Sequence, residues 1–130
     1  MTAVYFVVAC GCRRWMKIGL ADEVEPRLAD LQNACPMPLR LAASLRFPTR
    51  FDAQQAESCL HAMFRQDRVR PKARRCEWVN ITPPLRDLLR AIKRGENVLP
   101  TIYEGGAAHD LSGRRRDLFK WKASQLRRAA

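Results

Sequence analysis

At 130 residues the chain is long enough for one domain with a real core and too short for two. Its 24 Lys and Arg outnumber 13 Asp and Glu, and the resulting +11 charge and pI of about 10.3 point to a polyanionic partner. No run of about 18 apolar residues is present, which excludes a spanning helix.

The opening "MTAVYFVVACGCRR" has an apolar stretch with no basic segment ahead of it, so it reads as a buried strand rather than a leader. Five cysteines, an odd number without a secretory signal, fit reduced thiols in a cytoplasmic protein. Cys10-Gly-Cys12 lacks the second cysteine pair that a structural zinc site needs. Cys59 and Cys76 read as small core residues.

Residues 3–9 form a β-rich run, and "RRWMKIG" reads as a second strand joined to it by a Gly-containing turn, a hairpin. Val24, Leu28 and Leu31 recur at helical spacing, with Asp22 and Glu25 spaced as a capping box and Pro26 in the first turn. "NACPMP" ends that helix, and "LRLAASLRF" alternates as a third strand. Asp52 and Gln55 form another cap-like pair before a helix with an apolar stripe of Ala56, Leu60, Met63 and Phe64, running to about Asp67. A basic connection leads to "CEWVNI". Thr82 and two prolines then start a helix whose apolar face is Leu85, Leu88, Leu89 and Ile92. Beyond about Lys93, "GENVLPTIYEGGAAHDLSG" is loop-like and "RRRDLFKWKASQLRR" is a basic helix. The expected division is a domain over residues 1–92 and a basic extension over residues 93–130.

Five residues along this order carry chemistry. Tyr5 lies mid-strand, Lys17 near the end of the partner strand and Arg27 on the first helix. Glu57 and His61, four apart, share a face of the second helix. Taken singly, each has a structural reading: a rim tyrosine, a solvated lysine, an arginine paired with Asp30 or Glu23, a surface Glu–His pair. A hairpin with two flanking helices is expected to gather all five into one cleft.

"VYFV", "KIG", "RLADLQ", "AESCLHAMF" and "CEWV", in that order, resemble the GIY-YIG nuclease superfamily, and more narrowly its compact phage-associated branch with a K-I-G second motif. The resemblance covers residues 4 to about 80. It implies an α+β fold, a small three-stranded antiparallel sheet flanked by helices, and Mg²⁺- or Mn²⁺-dependent hydrolysis of phosphodiester bonds in DNA, with RNA not excluded as substrate and no membrane involved. Glu57 matches the family's metal-binding glutamate, Arg27 its helix arginine that neutralises phosphate charge, and Tyr5 its first-motif tyrosine beside the attacking water. His61, one turn beyond Glu57, suits a proton shuttle. Lys17 stands where the wider superfamily has its second tyrosine, as a phosphate-binding cation or, with a depressed pKa, a base; the cation role is favoured. Departures surround the motifs: Ala3-Val4 replaces Gly-Ile before the tyrosine, and Cys76 and Val79 replace the branch's usual glycine and phenylalanine. Glu77 is either a second acidic ligand or the ion-pair partner of Arg74 or Arg75; Trp78 reads as core, and Asn80 could close the site.

Arg13, Arg14, Arg68, Arg70, Lys72, Arg74 and Arg75, with Arg114, Arg115 and Arg116 ahead of the last helix, are the expected phosphate contacts, sequence-independent and salt-sensitive. That helix is expected first to dock on the domain and so extend the footprint. The rival expectation is a module of the same fold that binds nucleic acid or a protein without turnover.

Overall fold

The computed structural model describes residues 1–11, 14–72 and 76–129. Four strands, β1 (Thr2–Ala9), β2 (Trp15–Ala21), β3 (Leu39–Phe47) and β4 (Trp78–Asn80), form one antiparallel sheet in the order β3-β1-β2-β4. Five helices accompany it: α1 (Val24–Asn33), α2 (Arg50–Met63), α3 (Pro83–Lys93), α4 (Leu99–His109) and α5 (Arg116–Ala129). The fold is α+β as expected, with a fourth strand added. Only three residues long, β4 pairs with the first half of β2, Lys17 facing Trp78 and Trp15 facing Asn80.

Strand β1 is buried along its whole length, as a central strand covered on both faces must be. Alternation sends Val4, Phe6 and Val8, with Met16 and Ile18 of β2, to one face under α2, α3, α4 and α5. Tyr5, Val7 and Ala21 turn to the other face, where Val24, Leu28 and Leu31 of α1 pack on them. Each fully buried large side chain, such as Phe6 or Ile18, contributes about 1.5–3 kcal/mol by leaving water.

Both expected capping pairs are displaced. Helix α1 is capped at Glu23 without a side-chain bond, because Asp22 is occupied elsewhere: it accepts from the Thr2 hydroxyl (2.8 Å) and pairs with Arg50 (3.3 Å). Helix α2 starts at Thr49, whose hydroxyl accepts from the Asp52 amide (3.2 Å). Helix α3 does start at Thr82, with Pro83 and Pro84 opening it, although the Thr82 side chain makes no cap bond.

The segment expected as loop contains α4. Its buried side, Pro100, Ile102, Tyr103, Gly106 and Ala107, packs on α2, and α5 covers it with Phe119 and Ala123. A Cβ on Gly106 would come within 2.5 Å of the Cys59 Cβ, so only glycine permits this approach of α4 to α2. Lys122 of α5 reaches back to Asp52 (3.2 Å) and Gln55 of α2. No helix among the described residues is long and apolar enough to cross a membrane.

Candidate functional site

Strand β4 pairs with β2 as far as Lys17, the Ile18 amide still donates to the Glu77 carbonyl (3.2 Å), and beyond that the outer edge of β2 has no strand beside it among the described residues. Helices from the two faces can therefore converge at that edge. Gly19 sits opposite Tyr5 on β1, and any Cβ there would overlap the Tyr5 hydroxyl. The glycine of the K-I-G string thus makes room for the tyrosine. Tyr5 is buried, and the exposed Arg27 of α1 lies close enough to its hydroxyl for the two to be coupled electrostatically. Tyr5 above all raises the Arg27 pKa, and Glu77 and Asp30 add to it against a small opposing effect of burial.

Lys17 lies on the same face as Tyr5 and Val7 and is 8% exposed. Its ammonium is ion-paired with Glu77, which stands just ahead of β4. Glu77 thus pairs with Lys17, from a strand 60 residues earlier, a partner outside the two readings the sequence offers, a metal ligand or an ion pair with Arg74 or Arg75.

On the opposite face, α2 presents Glu57 and His61 to the β2 edge. The His61 Nε2 is 3.1 Å from the Ile18 carbonyl oxygen, which can only accept, so Nε2 carries the proton and Nδ1 is left as the acceptor. Burial foremost lowers the His61 pKa, assisted by Arg68 and Lys17 and opposed by Glu77 and the Ile18 bond; the ring is neutral at neutral pH. Burial also pushes Glu57 up to about 7. Glu77 adds to that rise, while Lys17 and Arg50 oppose it. A carboxyl balanced between its two protonation states near physiological pH, beside a neutral imidazole, is the arrangement that acid–base and cation-binding sites use.

These groups do not share one cavity. Glu57, His61, Arg68 and Glu77 line a cleft of about 390 Å³, together with His109 at the end of α4 and Asp110 and Ser112 just beyond it. Lys17 lines a neighbouring cavity of about 520 Å³ with Trp15 and Trp78, which is half-buried rather than core. Cys76 and Glu77 line both. Cys76, expected as core, is partly exposed and bonds to the Trp78 carbonyl (3.3 Å), whereas Cys59 is fully buried. Tyr5 and Arg27 lie beyond, on the α1 face, coupled to the rest through Glu77. Of the five expected residues, Glu57 and His61 thus line one cleft, Lys17 lines the cavity adjoining it, and Tyr5 and Arg27 lie next to them on the α1 face. Asn80 stands apart, its amide donating to the Asp67 carbonyl (3.1 Å).

Of the expected phosphate contacts, Arg68 lines the first cleft and Arg70 the second, and Lys72 and Arg14 are exposed. Arg115 donates to the Ser58 hydroxyl (3.0 Å) next to Glu57, Arg116 donates to the Asp110 carbonyl (3.0 Å), and Arg114 is exposed beside them. Arg13, Arg74 and Arg75 lie outside the described residues. Ser58, Arg65 and the Asp110–Ser112 turn were missed. Arg65 was findable, since it continues the four-residue spacing Glu57–His61; the Asp-Leu-Ser-Gly turn is legible as a turn, but no letter near it places it beside Glu57.

Among the described residues no group of three or more His, Cys, Asp or Glu is placed to hold a metal ion. A Zn²⁺-type cage is therefore not what this edge offers. A carboxylate with a second carboxylate near it is the donor type that a hard divalent cation takes, were one bound. Glu57 would hold it, with Glu77 close by.

No curated protein and no solved structure matched the chain. The model of the T5orf172 domain matches residues 3–96, which spans every strand and α1 to α3 and stops before α4. The chain belongs to the T5orf172 domain family, a GIY-YIG-related, nuclease-like family found in phage T5 and others.

Proposed function

We propose that the protein is an endonuclease that hydrolyses phosphodiester bonds in DNA with Mg²⁺ or Mn²⁺. The observation that carries this reading is Glu57: a carboxyl with a pKa of about 7, facing a cleft beside neutral His61, within electrostatic range of Lys17 and Glu77. Family membership and the +11 charge support it.

In this reading the scissile phosphate lies at the β2 edge. Arg27, beside Tyr5, neutralises the charge that builds on the phosphoryl oxygens, and Lys17 contributes a second cation. Glu57 would hold a divalent ion, which would supply Lewis-acid charge for the same purpose. Water attacks phosphorus, its proton passes to His61 Nδ1, the bond to the leaving oxygen breaks, and solvent protonates that oxygen. Tyr5 fixes the position of Arg27 and the water. Arg68, Arg70, Lys72 and Arg114 to Arg116 track the backbone on either side.

One observation favours a second reading. Lys17 already has an anionic partner in Glu77, so this lysine meets a phosphate only if Glu77 turns away or takes up a cation. If neither occurs, the module binds nucleic acid without turnover. Nicking of supercoiled plasmid with Mg²⁺ or Mn²⁺, against EDTA and Glu57→Ala controls, separates the two. Cleavage lost in both controls supports the nuclease; salt-sensitive gel shifts without cleavage under any cation support the binding module.

A further inference from the structure

The 520 Å³ cavity beside the cleft has a composition the proposed hydrolysis does not require. Register places Trp15 and Lys17 of β2 and Trp78 of β4 on one face of the sheet, and Met37 and Val69 complete apolar walls around them. Its polar groups are few: the Lys17–Glu77 pair at one side and Arg70 at the other. Its volume falls within the roughly 300–1,000 Å³ usual for ligand sites, which are likewise mostly apolar with a few convergent polar groups. Trp15 is 38% exposed, an indole held at the surface although it is in a strand next to the core.

We propose that this cavity receives one unstacked nucleobase of the DNA strand, next to the scissile phosphate at the β2 edge. The inference rests on the nuclease reading for the position of that phosphate. Three features select this occupant. Indole faces stack on any base, and stacking tolerates sequence. Glu77 and Cys76 form the wall between this cavity and the cleft, so a phosphate in one places its own base at the mouth of the other. Arg70 and the surrounding positive charge draw in a polyanion, which disfavours a free apolar molecule as occupant. Taking a base out of the stack is least costly in single-stranded or distorted DNA, so such DNA is the preferred ligand.

The test measures binding of the full chain in EDTA, where no cleavage intrudes, to single-stranded oligonucleotides trimmed to the shortest length that still binds, so that the register cannot slip, with one abasic site walked along the strand. The wild type should lose affinity roughly tenfold at one position, as expected for one base–aromatic stack. Trp15→Ala should bind the intact strand with that same deficit and be indifferent to the abasic site, and Trp15→Phe should restore most of the difference. Thermal melts establish that the variants fold. An abasic walk that is flat for the wild type, or identical for wild type and Trp15→Ala, overturns the proposal. The parent reading fails separately: a clear abasic position with no metal-dependent nicking removes the nuclease and leaves the base pocket, and nicking with a flat walk does the reverse.

Discussion

Two lysines, Lys17 and Lys122, are nearly equally withdrawn from solvent, with side chains 11% and 17% exposed, and each is paired with a carboxylate. Their surroundings differ in kind. Lys122 has Asp52 and the buried Gln55 as acceptors, and the rings of Phe51 and Tyr103 at 5.4 and 5.6 Å. Every demand of that ammonium is met, and it fastens α5 to α2. Lys17 shares its partner Glu77 with a neighbourhood that holds a second carboxyl, with a pKa of about 7, and a neutral histidine. Saturated electrostatics mark a clamp. Unbalanced electrostatics, with protonation states close to switching, mark a place where something else is meant to bind.

If this contrast is right, disturbing the two regions should produce separable losses. The largest effect is expected from Glu57→Ala, which should reduce metal-dependent nicking at least 10³-fold, near the scale of lost transition-state charge stabilisation, without lowering the melting temperature. A variant that melts lower and still cuts would place Glu57 with the clamp. Gly106→Ala comes next. With its Cβ 2.5 Å from that of Cys59, helix α4 must move off α2, at about 1–3 kcal/mol, read in denaturant melts. Lys122→Met should cost about 1–2 kcal/mol through the unsatisfied Gln55 oxygen, while cleavage per folded molecule stays unchanged.

The smallest effect concerns pH. The folded-state pKa of Glu57 is raised, so its stabilising contribution is whole below pH 4.5 and fades as pH climbs through about 7. Allowing for the solvent that screens a half-exposed carboxyl, the loss is about 1 kcal/mol. Melts of the metal-free protein should show it. Glu57→Gln should abolish this slope, and Glu77→Gln should move its upper limit to lower pH, because Glu77 is the second cause of the shift after burial.

Where a feature depended on nearby residues, it could be read in the sequence. Strand β3 occupies the alternating run 39–47, and α3 begins where Thr82 and two prolines put it. Strand β4 escaped notice because three residues carry no period, and its existence depends on the free edge of β2. Helix α4 was hidden by its own packing. A helix that buries Gly106 and Ala107 against α2 shows small residues and a double glycine where an amphipathic stripe would ordinarily announce it. The capping pairs failed for a similar reason, since Asp22 answers to Thr2 and Arg50, both far away in sequence. At the site, helix spacing revealed Glu57 and His61 together, and motif order supplied Tyr5, Lys17 and Arg27. The Glu77–Lys17 pair and the wall formed by Asp110 and Ser112 arise from tertiary closure, which leaves no mark on neighbouring letters.

The glycine-mediated seating of α4 against α2 also sets an order of events during synthesis. Residues 3–96 emerge first and include Glu57, but the face of α2 around Cys59 stays uncovered until residues 99–123 have left the ribosome. At 5–20 residues per second, that interval after α2 lasts on the order of several seconds. Throughout it the cleft lacks the turn at Asp110 and the Arg115 contact to Ser58. The nascent chain thus carries the family motif well before it carries a finished cleft.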